Sequence, residues 1–297
     1  MPSSSGGADG DEGLNPRRSF SDCESDCVKR TRDYAAPVHW TEAIGLAVAA
    51  AAGGAINAVA GGGTLVTFPT LLFFGTPAIE ANATSTLALV IGTSGSIFGF
   101  RRYLPAVKPW LWRFSPISII GSIAGAIWLT HTQERVFSRL VPFLILFATL
   151  LFLAQGFVRK LLPTNSADGT VANPHHAFWG PIIFQLLVAI YGGYFGAGIG
   201  ILMLASLSFI GLTNIHEMNT LKTILGSLIN LMAAVWFVIS GLVNWPKAGV
   251  MTIGALAGYF LGAHYSLRIP QARVRQIITA IGFLLSALTF YQQFMKK

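Results

Sequence analysis

Charged residues are scarce in this sequence. Asp, Glu, Lys and Arg make up 11% of its 297 residues, against 53% hydrophobic ones. An ordinary soluble domain is about one quarter charged, so the chain lacks the side chains that would cover a water-facing surface. Acidic residues are scarcer still beyond the N-terminal tail. Seven of the 12 lie in the first 36 positions, and from Thr41 onward only Glu42, Glu80, Glu134, Asp168 and Glu217 remain, against 15 Lys and Arg. Cysteine is confined to Cys23 and Cys27; two thiols without a nearby His are too few ligands for a structural zinc site. No Walker-type phosphate-binding sequence occurs, which argues against ATP as the direct driver of any process. No apolar segment carries a His-x-x-x-His or Glu-x-x-His set, and His131, His216 and His264 are isolated, so a metal-dependent intramembrane enzyme would lack its ligands. Nothing points to a cofactor, a metal or a nucleic acid partner.

What the chain does have is apolar sequence in runs near the length of a bilayer crossing, with a mean hydropathy of +0.60. That pattern defines an all-α polytopic membrane protein, with the lipid bilayer as its solvent. The net charge of +8 suits loops that touch anionic lipid, and it would also suit an anionic cargo.

Residues 1–36, rich in Ser, Gly, Asp and Arg, are expected to be a disordered polar tail. Arg17-Arg18-Ser19-Phe20 is followed by acidic and polar residues, not by an apolar stretch, so a cleaved targeting peptide is not expected. A first repeat then spans 37–160, a polar linker 161–176, and a second repeat 177–297. The paired His175 and His176 in the linker read as solvated side chains. Each repeat holds five apolar segments, and in each the second one is short (Thr64 to Phe74, Ile199 to Ile210). As helix, about a dozen residues reach only about 18 Å, against a hydrocarbon core of about 30 Å. If the short segments turn back, there are eight crossings and the halves are parallel; if they finish a crossing, there are ten and the halves are inverted. Segment length inclines to eight, while the positions of Lys and Arg divide evenly between the two arrangements.

One stretch occurs twice, about 136 residues apart. Gly61-Gly62-Gly63-Thr64 leads through a short apolar run to Glu80-Ala81-Asn82-Ala83-Thr84-Ser85-Thr86, and Gly196-Ala197-Gly198-Ile199-Gly200 leads through a similar run to Glu217-Met218-Asn219-Thr220-Leu221-Lys222. Clustered glycines are poor places for continuous helix, and non-helical backbone within a membrane is tolerated only where protein buries it or water reaches it. The glycines therefore predict two broken helices, with close helix packing as the alternative and the preferred reading for Gly53, Gly54, Gly192 and Gly193. Each break would expose N–H groups at a helix start, an end suited to an anion, and paired breaks in two repeats are a pointer to a transporter's substrate site. Gly61, Gly62, Gly63, Gly198 and Gly200 are candidate substrate-binding positions on that ground.

Asn82, Thr84, Ser85, Asn219 and Thr220 follow at the starts of long apolar helices. One such residue per helix could serve as a cap, but the cluster is larger than capping needs, and amide and hydroxyl donors near helix starts can hold an anion without trapping it. Lys222, with Ser85 as its counterpart in the first copy, is the candidate intramembrane cation in contact with the substrate or its pathway; snorkelling to the headgroups near a helix end is the alternative. Glu80 and Glu217 occupy matching positions where a carboxylate favours the helix dipole; a coupling role for either is the alternative to capping. Asn57 and Asn230, inside apolar runs, are weaker candidates for the pathway or for interhelical hydrogen bonds.

On these residues, together with Pro69, Arg101-Arg102 and Gly241-x-Val243-Asn244-Trp245, the chain from about residue 41 to 295 resembles the TauE/SafE family of sulfite-exporter-like membrane proteins. The resemblance implies a duplicated helical secondary transporter in the cell membrane or an equivalent one, moving a small sulfur-containing anion such as sulfite or an organosulfonate. A passive anion channel, and an intramembrane enzyme or assembly factor, are the alternatives. Cargo identity, coupling ion, direction and oligomeric state stay open at this point.

Overall fold

A computed structural model describes residues 39–59, 61–99, 104–161, 179–208, 215–265 and 271–294. The tail with Cys23 and Cys27, the Arg101-Arg102 pair, and the linker from 162 onward with His175 and His176 lie outside the described residues. Within them the chain forms ten α-helices and no strand: α1 (Trp40–Val59), α2 (Thr64–Phe73), α3 (Ala78–Gly99), α4 (Leu104–His131), α5 (Glu134–Leu161), α6 (Trp179–Tyr194), α7 (Ile199–Ser208), α8 (Ile215–Ile239), α9 (Trp245–Tyr265) and α10 (Gln271–Phe294). The protein is a polytopic all-α membrane protein. Segments of α1, α4, α5 and α8 are long and apolar enough to cross a bilayer by length and composition. The short helices α2 and α7 have 10 residues each, a length of only about 15 Å.

Both breaks form where the glycines predict them. Gly61 and Gly62 before α2, and Gly196 and Gly198 before α7, have positive φ values of 73°, 113°, 81° and 78°, a region that a residue with a Cβ enters only at a cost. After the first break the chain folds back. A Cβ placed on Gly53 of α1 would meet the Gly63 carbonyl and the Thr67 methyl, and one on Gly45 would meet the ring of Phe74. The short helix α2 thus runs antiparallel to α1 and ends near the level where α1 began.

Glycine also sets how the two five-helix sets join. Helix α9 lies against α1, and a Cβ on Gly254, Gly258 or Gly262 would fall 2.3, 1.9 and 2.8 Å from the carbonyl oxygens of Ala47, Ala51 and Ala55. Both numberings rise together, so the two helices are parallel and in backbone contact. The counterpart pair, α4 with α6, shows the same thing. Cβ atoms on Gly121 and Gly125 would approach the Leu186 and Ile190 carbonyls to 3.0 and 2.1 Å, and one on Gly193 would approach the Ser122 carbonyl to 2.0 Å. With no hydrophobic drive between helices in lipid, such close approach is what holds them together. The first helix of each set therefore packs on the fourth helix of the other.

The direction of α4 follows from hydrogen bonds at one end of the bundle. Lys247 at the start of α9 bridges Glu42 at the start of α1 (2.7 Å) and Thr76 just before α3 (2.9 Å). Asn244 donates to Glu80 of α3 at 2.8 Å, and Glu134, which follows the end of α4, accepts from the N–H groups of Ala78 and Ile79. Helix α4 ends where α1, α3 and α9 begin. It is antiparallel to its counterpart α9, and the two sets are inverted with respect to each other. Segment length, which inclined to eight crossings and parallel halves, is overruled because α2 starts at the break that ends α1 and finishes near the level where α1 began, so that it makes a pass of its own and leaves an odd number of passes in each set.

The core lies between the breaks. Phe68 of α2 meets Phe195, the first residue of the second break, edge to face at 5.4 Å, and Phe137 of α5 at 6.5 Å; all three are buried.

Replacing Gly258 by Val should destabilise the protein by about 1–3 kcal/mol or more, the usual cost of overpacking, because α9 cannot keep its contact with α1. Gly249→Ala, at an exposed position of the same helix with open space around it, should leave stability unchanged or slightly raised. Thermal unfolding of both variants in detergent checks this; a Gly258→Val midpoint equal to that of the parent would refute the packing account.

Candidate functional site

The two breaks face one cavity of about 280 Å³. The first set contributes Asn57 and Ala58 from the end of α1, Gly61, Gly62 and Thr64 from its break, and Thr86, Leu89 and Thr93 from one face of α3. The second contributes Gly196, Gly198, Ile199 and Gly200 from its break, Asn219, Lys222, Thr223, Gly226, Ser227 and Asn230 from α8, and Tyr259 from α9. The α8 residues recur at spacings of three and four, which keeps them on one helical face. That face carries polar atoms along its length because it borders the cavity and not lipid.

The two walls differ in what their polar groups are doing. In the first set Asn57 turns back on its own break: its Oδ1 accepts from Gly62 N–H at 2.8 Å and Gly63 N–H at 3.3 Å, and its Nδ2 donates to the Tyr259 hydroxyl. Tyr259 is hydrogen-bonded to Thr93 as well, and Thr93 donates in turn to carbonyls of its own helix. Thr86 donates to the Asn82 carbonyl at 2.8 Å. In the second set the first backbone bond of α7 is Ile201 N–H to the Gly198 carbonyl at 3.1 Å. Among the described residues, no acceptor serves the N–H groups of Gly198, Ile199 or Gly200, and the side chains of Asn219, Lys222, Ser227 and Asn230 have no hydrogen-bond partner. The Lys222 stem lies over Gly200, with Cδ 3.5 Å from where a Cβ would stand. No carboxylate is among the lining residues.

Of the positions singled out by the sequence, Gly61, Gly62, Gly198, Gly200, Asn219 and Lys222 meet at this cavity, and so do the weaker candidates Asn57 and Asn230. The others do not line it. Gly63 is pressed against the Gly53 backbone. Asn82 donates to the Tyr194 carbonyl at 3.1 Å, Thr84 accepts from Asn244 N–H at 3.1 Å, and Ser85 pairs with Thr67 at 2.6 Å. Thr220 is buried. Glu80 is held by Asn244 at the end of the bundle, and Glu217 is not among the lining residues. Ser85 and Lys222 hold equivalent places, yet only Lys222 faces the cavity, because Thr67 draws the Ser85 hydroxyl into the α2–α3 contact.

Thr223, Ser227 and Tyr259 went unrecognised in the sequence. The first two stand at helical spacing from Asn219, a signal that periodicity could have supplied. Tyr259 carries no such signal, since it reaches the site only through the packing of α9 on α1 and α3.

A family model described as "Sulfite exporter TauE/SafE" matches residues 46–289. The chain belongs to this family. Similar curated proteins carry matching names. A "Probable membrane transporter protein" of Haemophilus influenzae is 28% identical over 240 residues, covering 80% of this chain and 90% of that one. "Probable membrane transporter protein YfcA" of Escherichia coli is 26% identical over 245 residues, covering 80% and 86%. "Probable membrane transporter protein ORF9" of Sinorhizobium is 26% identical over 253 residues, covering 81% and 89%. No solved structure matches the chain. This TauE/SafE member is thus a multi-pass membrane transporter, and the cavity is where its two glycine breaks converge.

With Cys23 and Cys27 replaced by Ser, a Ser227→Cys variant should react with a small water-soluble thiol reagent, whereas Ser85→Cys should stay unmodified until the protein is denatured. Mass spectrometry of the labelled proteins reads both. Equal labelling would show that water reaches the two positions alike and would refute the assignment of the cavity face.

Proposed function

We propose that the protein is a secondary transporter that exports a small sulfur-containing anion, sulfite or an organosulfonate, through the cavity between its two broken helices. One observation carries this reading: the cavity wall holds the Lys222 ammonium and no carboxylate. A lysine is costly to keep inside a membrane protein unless it serves the cargo or the pathway, and one cation among neutral donors attracts an anion without trapping it. The sulfur chemistry and the outward direction are taken from the description of the family.

The inverted arrangement supports alternating access. Two sets related by inversion can exchange conformations, so that the cavity opens first at one end of the bundle and then at the other around a fixed site. The cargo crosses unchanged, which is transport and not enzymatic conversion. The drive would be an ion gradient, since the sequence has no nucleotide-binding motif. Glu80, if it takes part in coupling, would act through Asn244 at the end of the bundle and not on the cargo itself.

Flux of labelled sulfite into proteoliposomes, with and without an imposed pH gradient, tests the proposal. The parent protein should show saturable flux that responds to the gradient. Lys222→Ala should reduce it about tenfold or more, the loss of one hydrogen bond to a charged group amounting to about 1.5–3 kcal/mol. Absence of flux from folded protein would retire sulfite as cargo, non-saturating flux would favour a channel, and unchanged flux in the variant would remove Lys222 from the site.

A further inference from the structure

The two breaks are alike in backbone conformation but unlike in occupancy. At the start of α2 a side-chain oxygen, Asn57 Oδ1, already stands where an oxygen of a bound anion would stand, accepting from Gly62 and Gly63. Its amide nitrogen donates to the Tyr259 hydroxyl, which is also hydrogen-bonded to Thr93, and the Thr93 hydroxyl donates to the Val90 carbonyl. Among the described residues on that side, Thr64 retains an unengaged N–H and hydroxyl. At the start of α7 no described residue plays the part of Asn57. Among the described residues the N–H groups there have no acceptor, the Lys222 stem lies against Gly200, Asn219 lines the same cavity, and neither side chain has a partner.

We infer that the anion is held by the second set alone, between the α7 start at Gly198–Gly200 and Lys222, and that Asn57 is a built-in substitute ligand that closes the matching position at α2. The inference rests on the proposed function and adds which half binds, how many anions bind and what their charge is. With its equivalent position filled from within, the cavity takes one anion per chain in spite of its duplication. Because the single cation is supplemented only by neutral donors, the site matches a monoanion such as a sulfonate, whose three oxygens can be divided among Lys222, the α7 N–H groups and Asn219. Leu89, Ile199 and Ala58 leave apolar wall for an organic substituent.

The test is calorimetric titration of the full chain in lipid nanodiscs with methanesulfonate, repeated with sulfite, and with dimethyl sulfone as the uncharged control. The parent should bind one anion and no sulfone. Lys222→Gln should weaken binding about tenfold or more, while Asn57→Ala, by vacating the α2 start, should add a second and weaker anion and leave the first within about twofold of its original affinity, well under the effect of a lost charged hydrogen bond. Should Asn57→Ala not fold, Thr64→Val against Lys222→Gln makes the same distinction, with the threonine variant expected to lose far less. Two anions on the parent, full affinity in Lys222→Gln, or a Thr64→Val loss as large as that of Lys222→Gln would overturn the asymmetric site and leave the transporter reading standing. Failure of the folded parent to bind either anion would overturn both.

Discussion

A helix interrupted inside a bilayer must find partners for the peptide groups it uncovers, since lipid offers none. Much of this structure follows from that requirement. The breaks at Gly61–Gly63 and Gly196–Gly198 each expose the start of a short helix, and both are turned inward to a shared cavity. At the first break Asn57 supplies the missing acceptor. At the second no described residue supplies one, and an intramembrane lysine stands alongside.

The rest of the fold keeps the two breaks opposed. The close contacts of Gly254, Gly258 and Gly262 with α1, and of Gly121, Gly125 and Gly193 between α4 and α6, lock the first helix of each set to the fourth helix of the other. Neither set can move its broken helix without shifting a helix of its partner. The hydrogen bonds among Glu42, Lys247, Thr76, Asn244 and Glu80 tie the starts of α1, α3 and α9 together at one end. A transporter built this way would change conformation by rocking closely packed units, because interfaces with backbone contact tend to be bistable and not gradually deformable.

Duplication with divergence explains the chemistry of the cavity. Equivalent positions carry Ser85 and Lys222, and Thr93 and Asn230 lie on matching stretches of α3 and α8. In the first set the polar side chains mostly satisfy one another or their own backbone, so that α3 presents Leu89 and engaged hydroxyls. In the second, Asn219, Lys222, Ser227 and Asn230 remain open along one face of α8. One copy has become the structural half of the cavity and the other the half with free donors.

The amino-acid sequence by itself determined the membrane class, the ten helices, the duplication and both breaks. These depend on local properties: apolar run length, and the inability of clustered glycines to continue a helix. It also singled out Lys222, because a lysine next to an apolar run stands out whatever surrounds it. Only the tertiary structure decided the relation between the halves and the direction of each polar side chain. Inversion depends on α2 folding back along α1, a choice made by contacts between Gly45 and Phe74 and between Gly53 and Gly63 that leave no periodic trace in the chain. Asn82, Thr84 and Ser85 lie in the same motif as Thr86, yet a helix turns successive residues by about 100°, and Tyr194, Asn244 and Thr67 were waiting on the other faces. Which polar residues meet in the cavity depends on neighbours brought from far along the chain, and so on packing and not on sequence order.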